Sequence, residues 1–269
     1  MRIRSMMAMA LCLFGLEGWA QEEGLPVLCV TTNKTTVIYS HYSIQHVDRG
    51  SRDVLVQKIK GVDTLLELKA ARPDFPETNL TLLTGDGIIH MFRVIYKAEP
   101  PRLSYPIDSN SQATFLHAPA SSGELNEAGY EAIADSILAK PVWLRVKDKS
   151  FGVKARIAGI YIHEEVLFFR FQFKNDSEIP YDVSSISYYI RDKSQSKRTA
   201  SQDLAQTPLF FLGDHSRLEG RSSLDFVAAL PKFTIPDKKL LFVVVKERNG
   251  GRLLRLQIKN KRLMRARLI

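Results

Sequence analysis

The chain has 269 residues, 45% of them hydrophobic, so it is long enough to bury one large core or two small ones. Its 38 basic and 29 acidic side chains give a formal net charge of +9, and it contains two cysteines. So few cysteines exclude a disulfide-stapled scaffold. After residue 20, no run approaches the ~18 consecutive apolar residues that a membrane-spanning helix needs.

Residues 1–20 have the layout of a secretory signal peptide. A basic start is followed by an apolar run over Met6–Leu16, and the small residues Gly18 and Ala20 place the cleavage before Gln21. The alternative is a short N-terminal anchor. A cleaved signal implies an exported mature chain, and its one cysteine, Cys29, lies in an apolar run and is expected in the core.

Residues 21–97 predict an N-terminal β domain, because short β-rich runs are separated by Gly, Asp, Asn and Pro. The charged turn Asp48–Gly50 stands between two extended segments. The predicted strands are Val27–Thr31, Thr35–Ser40, Val54–Gln57, Leu65–Leu68, Asn79–Thr84 and Ile88–Tyr96.

Residues 98–140 predict a linker with a helix near 126–140. Two prolines, Pro100 and Pro101, break regular structure, and residues 104–123 are rich in Ser, Pro, Asn and Ala with little periodicity. Asn126 is the predicted N-cap, and Pro141 stops the helix. The apolar residues that follow helical spacing are Tyr130, Ile133, Ala134, Ile137 and Leu138.

Residues 141–269 return to strand patterns. One strand face is predicted to be apolar, with Leu167, Phe169, Phe171 and Phe173, and the other mostly solvated, with Phe168, Arg170, Gln172 and Lys174. Asn249–Gly251 is a strong hairpin turn. The predicted fold is mainly β: two β domains joined by a linker and one helix, with an antiparallel immunoglobulin-like β-sandwich as the C-terminal domain.

The charge is unevenly distributed along the chain. Residues 21–140 carry 11 basic and 15 acidic side chains, whereas residues 141–269 carry 25 and 13. The last segment, Arg255–Ile269, has six basic residues and no acidic one. A basic surface can meet nucleic acid, anionic lipid or an acidic protein. The alternative is a solvated strand edge guarded by basic side chains.

No motif of a catalytic, metal or cofactor site is found in the sequence. The six histidines lack metal-ligand spacing, and His163-Glu164-Glu165 has no second histidine four residues after the first. Phosphate loops, dinucleotide glycine patterns and nucleophile elbows are missing as well. The sequence therefore predicts a protein that is not an enzyme, with no catalytic residue, no metal and no cofactor.

Several runs of the chain are similar to one known family, and they include Ile44–Gly50, Gly159–Glu164, Arg198–Gln202 and Phe233–Lys239. On these runs the chain resembles the conjugative transposon TraN family of Bacteroidetes-type mobile elements. Its N-terminal half more loosely resembles the outer-membrane ring subunit of type IV secretion systems.

The resemblance implies a periplasmic structural subunit of a conjugative DNA-transfer, type IV secretion-like apparatus. Such a subunit acts through protein–protein contacts with other conjugation-channel proteins, forms a homo-oligomeric ring on the outer-membrane side, and meets the membrane through its partners. Direct contact with DNA is not expected, although it stays open. The alternative function is a periplasmic two-domain β binding module for a glycan or other polymer, which exposed aromatic rows on one sheet face would favour.

The expected partner-binding residues lie in the polar, basic loop 192–202. They are Arg198, Thr199, Ser201 and Gln202. Arg198 is the leading candidate, because a guanidinium can hold a carboxylate through two hydrogen bonds. The alternative is that Arg198 pairs with an acid of its own domain.

Overall fold

The computed structural model describes residues 24–107, 116–117, 125–193 and 203–269. The chain divides into two compact units: the first comprises Met1–Thr84 and Ile88–Ala118, and the second comprises Gly85–Gly87 and Pro119–Ile269. Strands dominate both units, so the prediction of a mainly β fold is confirmed. The predicted signal peptide and most of residues 104–123 lie outside the described residues.

The first unit contains two sheets that share one apolar core. One sheet has the order β1–β7–β6–β3 with β9 beside β7, and the other has the order β4–β5–β2–β8. Its core draws on both sheets, with Leu28, Ile38, Leu66 and Leu82 fully buried. The strands are β1 (Val27–Val30), β2 (Thr36–Ser40), β3 (Ile44–Arg49), β4 (Val54–Ile59), β5 (Val62–Ala70), β6 (Thr78–Thr84), β7 (Ile88–Tyr96), β8 (Ser104–Ile107) and β9 (Leu116–His117).

Strand β8 corrects the predicted start of the linker. Ser104–Ile107 pairs in parallel with β2, and its alternate side chains Tyr105 and Ile107 are buried in the core. The Tyr105 hydroxyl also accepts the backbone N–H of Cys29 at 3.2 Å. Cys29 itself is a buried free thiol, as its apolar run predicted.

The second unit is a sandwich of two sheets with one helix on its outside. The sheet β10–β11–β12–β17–β15, with β20 beside β11, is called the front sheet, and β14–β13–β18–β19, with β16 beside β13, is called the back sheet. The elements are α1 (Glu127–Leu138), β10 (Val146–Ser150), β11 (Val153–His163), β12 (Val166–Asn175), β13 (Tyr181–Asp192), β14 (Leu204–Gln206), β15 (Phe210–Leu212), β16 (Arg217–Leu218), β17 (Ser223–Pro231), β18 (Lys239–Glu247), β19 (Leu253–Ile258), α2 (Asn260–Leu263) and β20 (Arg267–Leu268).

The core between the two sheets is aromatic on the front side and aliphatic on the back side. Phe171 of β12 stacks on Phe226 of β17 at 4.9 Å between ring centroids and meets Tyr188 of the back sheet at 6.2 Å. Val243 and Leu256 face them from β18 and β19. The predicted C-terminal β-sandwich is thereby confirmed, and β18 and β19 form the predicted hairpin around Asn249, whose φ is 55°.

Helix α1 begins where the sequence predicts. The Asn126 side chain caps it by accepting the backbone N–H of Gly129 at 2.8 Å. The predicted linker included this helix, whereas it lies in the second unit, where Ile137 packs on Phe168 and Val227 of the front sheet. An amphipathic helix buries its apolar face against another element, and here that element is the front sheet.

That packing changes one expectation about β12. Phe168 and Arg170, predicted on the solvated face of the strand, are buried because α1 lies over them. Gln172 and Lys174, farther along the same face, stay at the surface. The outer face of the front sheet is therefore half covered by the helix and half open.

Candidate functional site: a basic face on the front sheet

The partner-binding residues predicted from the sequence, Arg198, Thr199, Ser201 and Gln202, lie outside the described residues. On either side of that segment, Arg191 and Asp203 form a two-point ion pair, with Nε to Oδ1 at 2.6 Å. This pair lowers the pKa of Asp203. Both charges are therefore already engaged within the second unit.

The open half of the front sheet carries a concentration of basic side chains. Cross-strand register arranges them in two rows over β10, β11, β12 and β17, and together they border a groove of about 730 Å³. These eight residues are called the basic face. The outer row is Lys147, Arg156, Gln172 and Asp225, and the row nearest the β10–β11 turn is Lys149, Lys154, Lys174 and Ser223.

The two-residue period of a strand produces this arrangement. Val153 and Ala155 point into the core, which sends Lys154 and Arg156 to the outside. Strand β12 repeats the pattern, with Phe171 and Phe173 buried and Gln172 and Lys174 outside. Because the inward positions are fixed by core packing, the outward charges are held in a fixed register.

The basic face has a strong positive excess. It contains five basic residues and one acid, Asp225, and a second acid, Asp148, also lines the groove, where its Oδ2 accepts the backbone N–H of Arg255 at 2.6 Å. One nearby acid, Asp176, accepts Lys154 at 2.5 Å and Lys174 at 3.0 Å, and these two ammonium groups lower its pKa to about 2. Asp176 is therefore ionised at physiological pH and balances part of the charge.

The remaining basic residues of the basic face have no acidic partner among the described residues. Lys147, Lys149 and Arg156 form no ion pair with any residue in the described ranges. Arg156 donates only its Nε, to Gln172 Oε1 at 2.6 Å, so its terminal nitrogens face the groove as potential donors. These three side chains can receive carboxylate or phosphate oxygens from outside the chain.

A hydrogen-bond network supports the floor of the groove. Asp225 Oδ2 accepts Gln172 Nε2 at 2.6 Å and Arg170 Nη2 at 2.7 Å. Arg170, only 7% exposed, also donates to the carbonyl oxygens of Ile137 and Lys140 at the end of α1. A cation is favourable at a helix C-terminus, so Arg170 joins the helix to the sheet and fixes Asp225 in place.

The aromatic surface that is relevant to the alternative function, glycan binding, lies on the back sheet. Tyr189 and Phe242 pair across β13 and β18 on the outer face of the back sheet, with their rings stacked at 5.6 Å. Both rings are half-buried, and the Arg191 guanidinium lies 4.8 Å from the centre of the Tyr189 ring. The surface is an aromatic pair already covered in part by a cation.

The basic tail is exposed but dispersed. Arg255 lies on β19, Lys261 and Arg262 on α2, and Arg267 on β20, where its guanidinium is 4.7 Å from the Trp143 ring. Within the described part of the chain, no cluster of three or more His, Cys, Asp or Glu side chains could hold a metal ion.

The sequence predicted a basic second half but not the basic face. The sequence signal that could have revealed it is a pair of polar or basic residues two positions apart on each of three strands. The pairs are Lys147/Lys149, Lys154/Arg156 and Gln172/Lys174. Each of these pairs alone describes an ordinary solvated strand. Only the register of β10, β11 and β12 brings them side by side.

Two family models match the chain. Residues 131–268 match a domain of unknown function (DUF4138), and residues 28–100 match a second domain of unknown function (DUF8473). No curated protein matches the chain. In the described ranges, no helix has the length and apolar character to cross a membrane. The DUF4138 match spans more than half of the chain, including the basic face, and the chain therefore belongs to the DUF4138 family.

Proposed function

We propose that this chain is a periplasmic structural subunit of a conjugative DNA-transfer, type IV secretion-like apparatus, and that it works through protein–protein contacts. The proposal begins from the resemblance to the conjugative transposon TraN family. The specific run Phe233–Lys239 lies within the DUF4138 match. As a ring subunit on the outer-membrane side, the chain would contact its own copies and other channel proteins.

The basic face is the structural observation that supports this proposal and identifies the residues that would bind a partner. The two basic side chains of the outer row, Lys147 and Arg156, form no ion pair with any described residue and stand on a rigid sheet at fixed spacing. A partner that presents carboxylates at matching spacing would be oriented as well as bound, because charge complementarity across an interface fixes register. The outer row of the basic face is therefore assigned to an acidic partner protein of the same apparatus.

The experiment is co-purification of channel proteins with a tagged chain in its native host. The variant Lys147→Glu/Arg156→Glu reverses charge in the outer row without touching the core, so its melting temperature should match that of the wild type. Recovery of at least one channel protein is expected to fall by about ten-fold or more, because opposed like charges cost several kcal/mol across an interface.

The matched control is Lys261→Glu/Arg262→Glu, which makes the same change in net charge on the exposed surface of α2. It should retain the partners. Full recovery with the basic-face variant would remove the assignment, and loss with the α2 variant alone would transfer partner binding to the basic tail.

The alternative function, a binding module for a glycan or other polymer, would use the half-buried aromatic pair Tyr189–Phe242, because sugar rings stack on aromatic faces. Affinity electrophoresis of the purified chain against soluble polysaccharides distinguishes the two functions. Retardation of the wild type that disappears in Tyr189→Ala/Phe242→Ala would support the alternative. Unchanged mobility in every polysaccharide would favour the structural subunit.

A further inference from the structure

The turn between β10 and β11 holds a phenylalanine in an unfavourable backbone conformation. Phe151 has a φ of 42° and Gly152 a φ of 85°, so both central residues of this hairpin turn are left-handed. Such turns prefer Asn-Gly, and a bulky side chain is rare in the left-handed region. The Phe151 side chain is 79% exposed and takes no part in the described cores.

A second exposed apolar side chain stands on the adjoining loop. The β12–β13 loop is joined to the turn by the Asp176 backbone N–H, which donates to the Gly152 carbonyl oxygen at 2.9 Å. This loop carries Ile179, which is 69% exposed although its carbonyl oxygen is held by Asn175 Nδ2 at 2.8 Å. The backbone of the loop is thus fixed while its apolar side chain points to solvent.

Basic side chains surround these two residues. Lys149 and Lys154 face each other across β10 and β11 just below the turn, and Lys174 follows on β12. Asp176 balances part of this charge, and on the adjoining loop Glu178 pairs with Arg221 at 2.8 Å. The end of the sandwich that carries Phe151 and Ile179 therefore keeps a positive excess.

We propose that this end of the second unit docks directly on an anionic lipid surface, with Phe151 and Ile179 entering the headgroup layer and the lysines meeting lipid phosphates. Two apolar side chains on separate convex turns enter a bilayer interface more readily than they form the broad buried patch of a protein interface. Lysines beside them can extend their apolar stems and keep their charge at the phosphates. The inference goes beyond the proposed function, in which the membrane is reached through partners.

The test is flotation of the purified mature chain with vesicles of phosphatidylcholine, with and without phosphatidylglycerol. The wild type is expected to bind only the anionic vesicles, and added salt should weaken the binding. Phe151→Asn should reduce binding by about ten-fold or more, because it removes the apolar side chain that would be buried in the headgroup layer on binding. Lys149→Gln should reduce it roughly five-fold, the effect of about one basic residue near an anionic surface.

Phe151→Asn also separates lipid binding from folding. Asn-Gly suits a turn with two left-handed residues, so the variant should melt at or above the temperature of the wild type. Met264→Asn, which changes an apolar residue that is 66% exposed elsewhere in the unit, is the matched control and should bind as the wild type does.

Three results would overturn the proposal. They are a wild type that ignores anionic vesicles, a Phe151→Asn variant that binds like the wild type, and equal losses in Phe151→Asn and Met264→Asn. A Phe151→Asn variant that melts well below the wild type would show instead that Phe151 serves the fold. If the wild type does not bind vesicles and Phe151→Asn no longer recovers a channel protein in co-purification, this end of the second unit docks on a protein instead.

Discussion

Replacing Arg252 with methionine is expected to lower the free energy of unfolding of the second unit by about 3–5 kcal/mol, the range for breaking one side of a buried ion pair. The Arg252 and Glu247 side chains are 12% and 11% exposed, and Arg252 donates both Nε, at 2.9 Å, and Nη2 to Glu247 Oε1. Arg252 also donates to the carbonyl oxygens of Ile179 and Pro180. Methionine fills similar space but leaves the carboxylate and both carbonyls without this donor.

The same pair predicts a dependence on pH. Hydrogen bonding from Arg252 lowers the pKa of Glu247 below its usual value. A lowered pKa in the folded state means that the stabilisation is present above the unfolded pKa, about 4.3 for a glutamate, and is lost as pH falls through the folded value. The stability difference between wild type and Arg252→Met should therefore be largest near neutral pH and shrink below about pH 4.

Trp143 makes the measurement specific to the second unit, because it is the only tryptophan in residues 21–269. Denaturant unfolding followed by its fluorescence gives the free energy for wild type and variant at each pH. Arg217→Met is the control: Arg217 pairs with Asp182 and Glu219, but its side chain is 50% exposed. It should cost no more than about 1 kcal/mol. Equal losses in the two variants, or a difference that does not change with pH, would contradict the account.

Phe171→Ala is expected to destabilise the second unit by about 3–5 kcal/mol. Its ring is fully buried between the sheets and contacts Phe173, Phe226 and Tyr188. Alanine leaves a cavity that surrounding rings from three strands cannot close without leaving their own positions, so the cost includes both lost burial and unfilled space.

The matched comparison is Phe151→Ala, which makes the same chemical change at an exposed position. It should alter the free energy of unfolding by no more than about 0.5 kcal/mol. Both variants can be followed by Trp143 fluorescence at neutral pH. A loss below about 1 kcal/mol in Phe171→Ala would mean that the two sheets do not share the aromatic core that the structure describes.

The local pattern of the chain predicted much of the second unit. Alternation at residues 167–173 indicated a strand with one apolar face, and Asn126 was identified as the helix cap because its side chain can accept a backbone N–H. These are interactions between residues near in sequence. Ser104–Ile107 escaped prediction because a short parallel edge strand is defined by its partner β2 and not by its own pattern.

The candidate site depends on contacts between distant residues, which explains why the sequence did not reveal it. Asp225 reaches Gln172 and Arg170 only because β17 lies beside β12, more than fifty positions away. Burial of Arg170 likewise requires α1 to lie over the sheet. The charge difference between the two halves could be counted from the sequence, but strand order was needed to place five of the basic residues on one face.

The proposed role in conjugation is tested most directly by the frequency of DNA transfer from a donor strain that lacks the gene for this chain. We predict that transfer is lost on deletion, restored by the wild type and by Lys261→Glu/Arg262→Glu, and not restored by Lys147→Glu/Arg156→Glu present at the wild-type level. Transfer at the normal frequency in the deletion strain, or full restoration by the basic-face variant, would contradict the account.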